Sequence, residues 1–408
     1  MIDVKTYFNK FKGMKPYFYI EEDEWSYIKE TYDKDEVKDA MASVLMEYPL
    51  PYADITEHDA YVDFMKLKGI RWNEVLNEGE WFPRKSADST YSFEYDGKQL
   101  YFGRLNVGNL SSNYFQQENR WSVDGSVSPG PLRTWNNKQF MTSLMGSAYS
   151  LKLPSIGKRE LRTMIGLRKY ICAQFKPNVA KIFYEMMNAE TVLDFSMGWG
   201  DRLAGFYSAM TTKHYVGIDP RTENHALYKK QSDFYESHTG FFENEKKVDF
   251  FESPAEDFDF SPYVDYFDVV YTSPPYFSVE RYSYDDTQSW VRYKKIEDWN
   301  ENFLHKVLGK IIPTVKSGGT IAINIADVYT SSSGGGKRWL EITNPMNDYL
   351  TSQGLIYRGC IGMEMAKRPN NGGSGTAKTT DFSDSSLVKA DETKDMRFCE
   401  PIWIFEKK

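Results

Sequence analysis

The chain has 408 residues, 41% of them hydrophobic, so it is long enough for two or three domains and a large core. Its three cysteines lack the paired spacing of a disulfide framework or a zinc site, and no apolar stretch is long enough to cross a bilayer. The formal net charge of −8 argues against a nucleic-acid partner unless the basic residues are concentrated in one part of the chain.

Residues 1–87 are rich in acidic side chains, and we predict a mainly helical accessory region here. The run Glu21-Glu22-Asp23-Glu24 stands at the start of a helical pattern, where negative charge suits a helix N-terminus. This stretch lacks a signal-peptide pattern, so we expect a cytoplasmic protein of a bacterium or a virus-infected cell. Its charge predicts that it packs, or binds a partner, away from a polyanion.

Residues 88–165 are predicted to form a basic, aromatic-rich target-recognition region. Tyr91–Tyr95 and Gln99–Phe102 are short strand patterns joined by Asp96-Gly97, which is a hairpin signal. Residues 112–121, which end in Arg120 and Trp121, are dense in amide, guanidinium and aromatic groups. Such groups read base edges and stack on bases, but they also make ordinary polar loops.

Basic residues are concentrated between positions 131 and 181, where ten lysines and arginines face one acid, Glu160. This concentration is typical of a surface that contacts phosphates, and the alternative is a solvated helix face. The residues predicted to contact nucleic acid are Arg120, Trp121, Arg133, Lys138, Lys158, Arg159 and Arg162.

Three strand patterns follow, each ending in residues suited to ligands. The first, Thr191–Asp194, runs into a Gly-X-Gly turn, where glycines allow a bound molecule close to the backbone. The second, His214–Asp219, ends in an acid that lies about 20 residues after the Gly-X-Gly turn. In doubly wound sheets an acid at this position holds ribose hydroxyls. The third, Val248–Phe251, leads into Ala255-Glu256-Asp257.

A fourth strand, from Phe267, ends in Ser273-Pro274-Pro275-Tyr276. Two prolines fix two φ angles and remove two donors, which leaves carbonyl groups free to face a ligand. A planar amino group has two N–H donors, which Ser273 Oγ and the Pro274 carbonyl would accept while Tyr276 stacks on the ring. The alternative is an ordinary turn at the end of a strand.

The remaining sequence completes an α/β pattern. We predict an amphipathic helix over 296–315, a strand over 320–328 and a flexible connection at 331–337. Terminal strands at 355–365 and 400–405 are expected to form an antiparallel hairpin around a long mobile loop, 369–395. Residues 166–408 are therefore predicted to form one catalytic domain of the α/β class with a doubly wound, mostly parallel sheet. The residues before 166 are predicted to form an N-terminal accessory α+β region.

These motifs resemble those of S-adenosylmethionine-dependent DNA amino-methyltransferases, the N4-cytosine and N6-adenine enzymes. Asp194, Gly198 and Gly200 keep the spacing of the family's Asp-Pro-Phe-X-Gly-X-Gly loop, although Phe195 and Ser196 replace its Pro-Phe pair. The resemblance implies a seven-stranded class I methyltransferase sheet. It also implies that Asp219 holds the cofactor ribose and that Ala255-Glu256-Asp257 reads its adenine.

The resemblance extends to the segment that closes over the methionine end of the cofactor and to the Thr-Ser-Pro-Pro-Tyr form of the catalytic loop. The implied catalytic residues are Ser273, Pro274, Pro275 and Tyr276. The implied cofactor-binding residues are Phe175, Lys176, Pro177, Asp194, Phe195, Ser196, Gly198, Trp199, Gly200, Asp219, Pro220, Ala255, Glu256 and Asp257.

The implied cofactor is S-adenosylmethionine and the implied partner is DNA, with no metal. The Ser-Pro-Pro-Tyr loop is typical of cytosine N4 targets, whereas the order of the motifs is more typical of adenine enzymes. Cytosine is favoured because the loop touches the base. Two alternatives remain open. The first is an enzyme that methylates an amino group of an RNA base or of a protein glutamine, and the second is an inert methyltransferase-like subunit that binds nucleic acid.

Overall fold

The computed structural model describes residues 2–79, 91, 93–126, 128–240, 245–331, 337–365 and 399–408. The predicted mobile loop 369–395 and most of the connection 331–337 lie outside the described residues. None of the helices in these ranges combines the length and apolar character that a membrane span requires.

The helices, in chain order, are α1 Val4–Phe8, α2 Glu22–Thr31, α3 Lys34–Leu45, α4 Glu57–Gly69, α5 Trp72–Val75, α6 Asn109–Ser122, α7 Pro131–Trp135, α8 Lys138–Ser150, α9 Lys158–Arg168, α10 Pro177–Met186, α11 Asp201–Ser208, α12 Thr222–Ser237, α13 Ser289–Arg292, α14 Ile296–Trp299, α15 Lys306–Ile311 and α16 Thr343–Ser352. The strands are β1 Leu76–Glu78, β2 Glu94–Tyr95, β3 Lys98–Phe102, β4 Asp124–Gly125, β5 Thr191–Asp194, β6 His214–Asp219, β7 Lys247–Glu252, β8 Phe267–Thr272, β9 Glu280–Arg281, β10 Val315–Asn324, β11 Val328–Ser331, β12 Lys337–Leu340, β13 Ile356–Glu364 and β14 Cys399–Glu406.

The chain forms two compact units, each built from separate stretches of sequence. Unit 1 comprises Met1–Asp54, Gln117–Ala173 and Glu280–Tyr282, and unit 2 comprises Ile55–Gln116, Gln174–Val279 and Ser283–Lys408. This grouping differs from the three consecutive regions predicted from composition, 1–87, 88–165 and 166–408. Composition changes along the chain, whereas a compact unit depends on which segments share a core.

Unit 1 is mainly helical, and its core joins distant segments through tryptophan side chains. The Trp25 indole donates a hydrogen bond to the Leu153 carbonyl at 3.1 Å, and the Trp135 indole donates to the Tyr48 carbonyl at 2.7 Å. Both rings are buried, and a buried N–H that has lost its contact with water needs a hydrogen-bond acceptor. The two carbonyl groups provide these acceptors. The two-residue strands β4 and β9 pair antiparallel within this unit.

Unit 2 contains a ten-stranded sheet in the order β1-β3-β2-β13-β14-β10-β8-β5-β6-β7. Neighbouring strands from β10 to β7 are parallel, and β14 lies antiparallel between β10 and β13. The predicted doubly wound, mostly parallel sheet with an antiparallel C-terminal hairpin is therefore confirmed. Seven strands, from β13 to β7, form the predicted sheet, and β1, β2 and β3 extend it at the β13 edge, where backbone groups would otherwise lack partners.

The central strands are buried on both faces, which explains their continuous apolar sequences. Val192 and Val269 belong to the core on one face, while Leu193 and Val270, the next residues along, belong to the core on the other. This alternation follows from the two-residue period of a strand. Helices α10 and α11 cover the first face, and α15 and α16 cover the second.

Two local predictions have different outcomes. The hairpin turn at Asp96-Gly97 is confirmed, since both residues have positive φ and β2 pairs antiparallel with β3. The expected single helix over 296–315 is wrong at its end, because Pro313 lies in a 3-10 turn and β10 begins at Val315. The helix is also interrupted by a π-helical turn at Asn300–His305.

Helices α10 and α11 are held close by Gly205, which leads to a first prediction. A Cβ at this position would lie 2.5 Å from Ala180 Cβ and 2.9 Å from the Pro177 carbonyl oxygen. We expect Gly205→Ala to lower the free energy of unfolding by about 1–3 kcal/mol in urea titrations, because the two helices must separate. Gly69→Ala in α4 is the matched control, since a Cβ there meets nothing within 4 Å. Equal stability of the two variants would contradict this packing argument.

Candidate active site

The predicted motifs meet at one edge of the sheet in unit 2. Strands β5, β6, β8 and β10 are parallel, so their last residues, Asp194, Asp219, Thr272 and Asn324, lie at the same edge. Ligands of doubly wound sheets bind at this carboxyl edge. A direct hydrogen bond, from Thr272 Oγ1 to Asp194 Oδ1 at 2.8 Å, joins the start of the catalytic loop to the start of the glycine loop.

Asp194 is the centre of a buried polar network. Its carboxylate accepts hydrogen bonds from Arg202 Nε at 2.7 Å and from the Tyr215 hydroxyl at 2.7 Å, in addition to Thr272. Burial disfavours the Arg202 cation, but the charge and hydrogen bonds of Asp194 outweigh burial and raise the guanidinium pKa. Because Asp194 is fully buried, it shapes the site by holding β5, β6, β8 and α11 together.

The glycine loop is fastened to the end of β6 and to α12. The Gly198 N–H donates to Asp219 Oδ2 at 2.9 Å, and the Gly198 carbonyl accepts from Asn224 Nδ2 at 3.0 Å. Gly198 and Gly200 both have positive φ, which other residues rarely adopt. A side chain at Gly198 would meet only the Ser196 carbonyl oxygen, at 3.9 Å, so this backbone borders open space.

Asp219 Oδ1 also accepts a hydrogen bond from the backbone N–H of Arg221 at 2.9 Å. Burial raises the pKa of the Asp219 carboxyl. Each carboxylate oxygen has two lone pairs, so both keep acceptor capacity for hydroxyl groups. The Arg221 guanidinium also lies over the Trp199 ring, 5.4 Å from the ring centroid. Pro220 follows, half-buried.

The predicted adenine-reading segment is paired with an arginine that the sequence analysis missed. Arg292 Nη1 lies 3.0 Å from Glu256 Oε1 and 2.5 Å from Asp257 Oδ2. Burial raises the pKa of Glu256, and the nearby arginine opposes this shift. Ala255 is buried in the core beneath. Arg292 is the last residue of helix α13, which follows the predicted catalytic loop in the sequence.

The predicted closing segment is buried at the start of α10. The Arg202 guanidinium lies 5.0 Å from the centroid of the Phe175 ring. This contact links the closing segment to the Asp194 network. Lys176 donates a hydrogen bond to the Glu364 carbonyl at the end of β13, and burial lowers the pKa of this lysine to about 8. Pro177 is the first residue of the helix, a position that needs no N–H donor.

The predicted catalytic loop is hydrogen-bonded to two neighbouring strands. Ser273 Oγ donates to Asn324 Oδ1 of β10 at 3.3 Å, and the Tyr276 hydroxyl donates to Glu400 Oε2 of β14 at 3.3 Å. Phe277 has a φ of 52°, a left-handed conformation that costs free energy for an aromatic residue. Backbone strain of this kind is concentrated at functional sites, and neither Asn324 nor Glu400 was predicted from the sequence.

The residues predicted to contact nucleic acid lie in unit 1 and have different environments. Trp121 is buried against Tyr52, with ring centroids 5.2 Å apart, and Arg120 donates to the Cys172 carbonyl at 2.8 Å. These two residues belong to helix α6, rather than to the polar loop that was the alternative to base reading. Ion pairs hold the next three, namely Arg133 with Asp124, Lys138 with Asp39 and Lys158 with Asp54.

Arg159 and Arg162 remain exposed on helix α9. In the part of the chain that the structure describes, neither of them pairs with a carboxylate. In the same part of the chain, no group of three or more histidine, cysteine, aspartate or glutamate side chains is arranged to hold a metal ion.

Comparison with known proteins gives distant structural similarity only. No protein-family model matches the chain, and no match is found among curated proteins. Among solved structures, TrmN from Thermus thermophilus is 12% identical over 57% of this chain, with a TM-score of 0.33. The match spans 49% of the TrmN chain, about half its length.

Two other solved structures are similar at the same level. A putative S-adenosylmethionine-dependent methyltransferase from Listeria monocytogenes is 12% identical over 54% of this chain and 91% of its own, with a TM-score of 0.32. The 1,6-didemethyltoxoflavin-N1-methyltransferase from Burkholderia thailandensis, solved with S-adenosylhomocysteine, is 11% identical over 57% and 78% respectively, with a TM-score of 0.31. At these values the similarity carries no argument about activity or substrate.

The buried network around Asp194 yields a prediction about stability. We expect Arg202→Met to lower the free energy of unfolding by about 3–5 kcal/mol, because it leaves the Asp194 carboxylate buried without its counter-charge. The double variant Asp194→Asn/Arg202→Met should recover much of this loss in the same urea titrations. A double variant less stable than Arg202→Met would show that the charge imbalance is not the cause.

Proposed function

We propose that this protein transfers a methyl group from S-adenosylmethionine to the exocyclic amino group of a base in DNA, with N4 of cytosine favoured over N6 of adenine. The observation that supports the proposal is the hydrogen bond from Thr272 to Asp194, which joins the last residue of β8, before the predicted catalytic loop, to the last residue of β5, before the glycine loop. The form of the catalytic loop favours cytosine, and the family resemblance supports the cofactor.

The residues at the sheet edge fit this cofactor. Gly198 borders open space, the Asp219 carboxylate can accept from ribose hydroxyls, and Trp199 supplies an aromatic surface. Glu256 and Phe175 would contact the adenine and the methionine end, respectively. When bound, the cofactor would supply a methyl group made electrophilic by a sulfonium centre.

The chain's own residues would act on the amino group. Its nitrogen is a poor nucleophile because the lone pair is delocalised into the ring, and two acceptors on its hydrogens would localise that pair. Ser273 Oγ and the Pro274 carbonyl would be those acceptors, while the Tyr276 ring stacks on the base and its hydroxyl is held by Glu400. Positioning would supply most of the rate. A base in duplex DNA would have to flip out of its stack to reach this loop.

Methyl transfer is tested directly with tritiated S-adenosylmethionine on DNA, RNA and protein substrates. We expect label in DNA that co-elutes with N4-methylcytosine after nucleoside digestion. Pro275→Ala/Tyr276→Ala should reduce transfer by about 100-fold or more, because the loop geometry is lost, while binding of S-adenosylhomocysteine persists. Label only in RNA or protein would overturn the DNA assignment, and equal activity of the double variant would overturn the role of the loop.

The nucleic-acid surface is tested by the salt dependence of DNA binding. We expect Arg159→Ala/Arg162→Ala to reduce the slope of log affinity against log salt by about 1–2, because exposed cations on α9 would release counterions from phosphates. Arg133→Ala/Lys138→Ala is the matched control, since these cations already pair with Asp124 and Asp39. A larger change of slope in the control would place the phosphate contacts elsewhere.

A further inference from the structure

The proposed reaction requires a serine hydroxyl to behave as an acceptor. A hydroxyl can donate as well as accept, and its hydrogen rotates to suit its surroundings. An exocyclic amino group presents two donors, so a Ser273 hydrogen pointing at it would oppose binding. Something in the site must therefore take that hydrogen in another direction.

Asn324 is placed to do this. It ends strand β10, is 2% exposed, and its Oδ1 lies 3.3 Å from Ser273 Oγ. This distance is long for a hydroxyl donor, but hydrogen bonds of active sites are often long without ligands and shorten in the complex. Asn324 therefore offers an acceptor on the side of Ser273 that faces β10.

The orientation of the Asn324 amide is itself fixed. Its Nδ2 donates to the Pro401 carbonyl of β14 at 2.9 Å. A proline has a carbonyl but no N–H, so the Asn324 side chain must turn its nitrogen toward Pro401. A flipped amide would put the Asn324 oxygen against the Pro401 oxygen, and little solvent reaches this buried side chain to compensate. The oxygen therefore stays on Ser273.

We infer that Asn324 is a positioning residue that fixes Ser273 as an acceptor and so restricts the substrate to bases with an exocyclic amino group. This inference rests on the proposed function. It implies that the site rejects bases that carry an oxygen in place of the amino group. Such an oxygen would face two other acceptors, Ser273 Oγ and the Pro274 carbonyl. Pro401 of β14, which is 77 positions from Asn324 in the sequence, contributes by fixing the amide.

The test compares initial rates of methyl transfer for the full chain and for Asn324→Leu, each with and without Ser273→Ala. We expect Asn324→Leu to lower kcat by about tenfold or more, the value of one hydrogen bond, with the cofactor Kd within about twofold of the parent. In the Ser273→Ala background the same substitution should change kcat by less than about twofold, because no hydroxyl remains to be oriented.

Two further variants separate orientation from stability. Asn300→Leu removes another buried asparagine of unit 2 whose amide donates to a backbone carbonyl, that of Glu341 at 2.9 Å. We expect this control to affect stability without lowering kcat of the folded protein. Asn324→Asp keeps an acceptor beside Ser273 but faces Pro401 with an oxygen, so it should retain more activity than Asn324→Leu despite lower stability.

The outcomes are distinguishable from those of the proposed function. An active parent with an equally active Asn324→Leu variant would overturn the inference and leave methyl transfer intact. A loss of the same size in the Ser273→Ala background would also overturn it, because Asn324 would then act independently of the hydroxyl. A parent inactive on every substrate, with S-adenosylhomocysteine binding retained or lost, would overturn the proposed function and the inference together.

Discussion

The buried ion pair between Asp194 and Arg202 is the interaction on which the architecture of the site depends. Taking both charges out of water is costly, and the cost is offset only because the carboxylate also accepts from Tyr215 and Thr272. These partners come from different elements, so one carboxylate fixes β6 and the ends of β5 and β8 against helix α11. Loops that begin at these strand ends therefore start from a rigid base.

Rigidity at the strand ends also decides what the loops can present. The conformation of the glycine loop is held by Asp219, which accepts from the Gly198 N–H, and by Asn224, which donates to the Gly198 carbonyl. The catalytic loop keeps its strained Phe277 because Ser273 and Tyr276 are bonded to β10 and β14. In both loops, hydrogen bonds to side chains from neighbouring elements fix the backbone conformation.

Charge in unit 1 illustrates how folding changes the meaning of a sequence pattern. A basic stretch in the sequence has ten cations and one acid, but Asp39, Asp54 and Asp124 lie outside that stretch and pair with three of the cations. Surface ion pairs of this kind contribute little stability, but they reduce the charge available to a polyanion. The exposed arginines of α9 are what remains of the predicted phosphate surface.

The sequence by itself determined the strands of the mostly parallel sheet, its C-terminal hairpin and the two loops with their glycines and prolines. These features depend on local rules, namely the two-residue period of strands, positive φ at glycine and the fixed φ of proline. Only the tertiary structure decided that Trp121 is a core residue, that Arg292 pairs with Glu256, and that Asn324 faces Ser273. In each case the two partners, Trp121 and Tyr52, Arg292 and Glu256, or Asn324 and Ser273, are between 36 and 69 positions apart in the sequence. No local sequence pattern specifies which distant side chains will share a buried site.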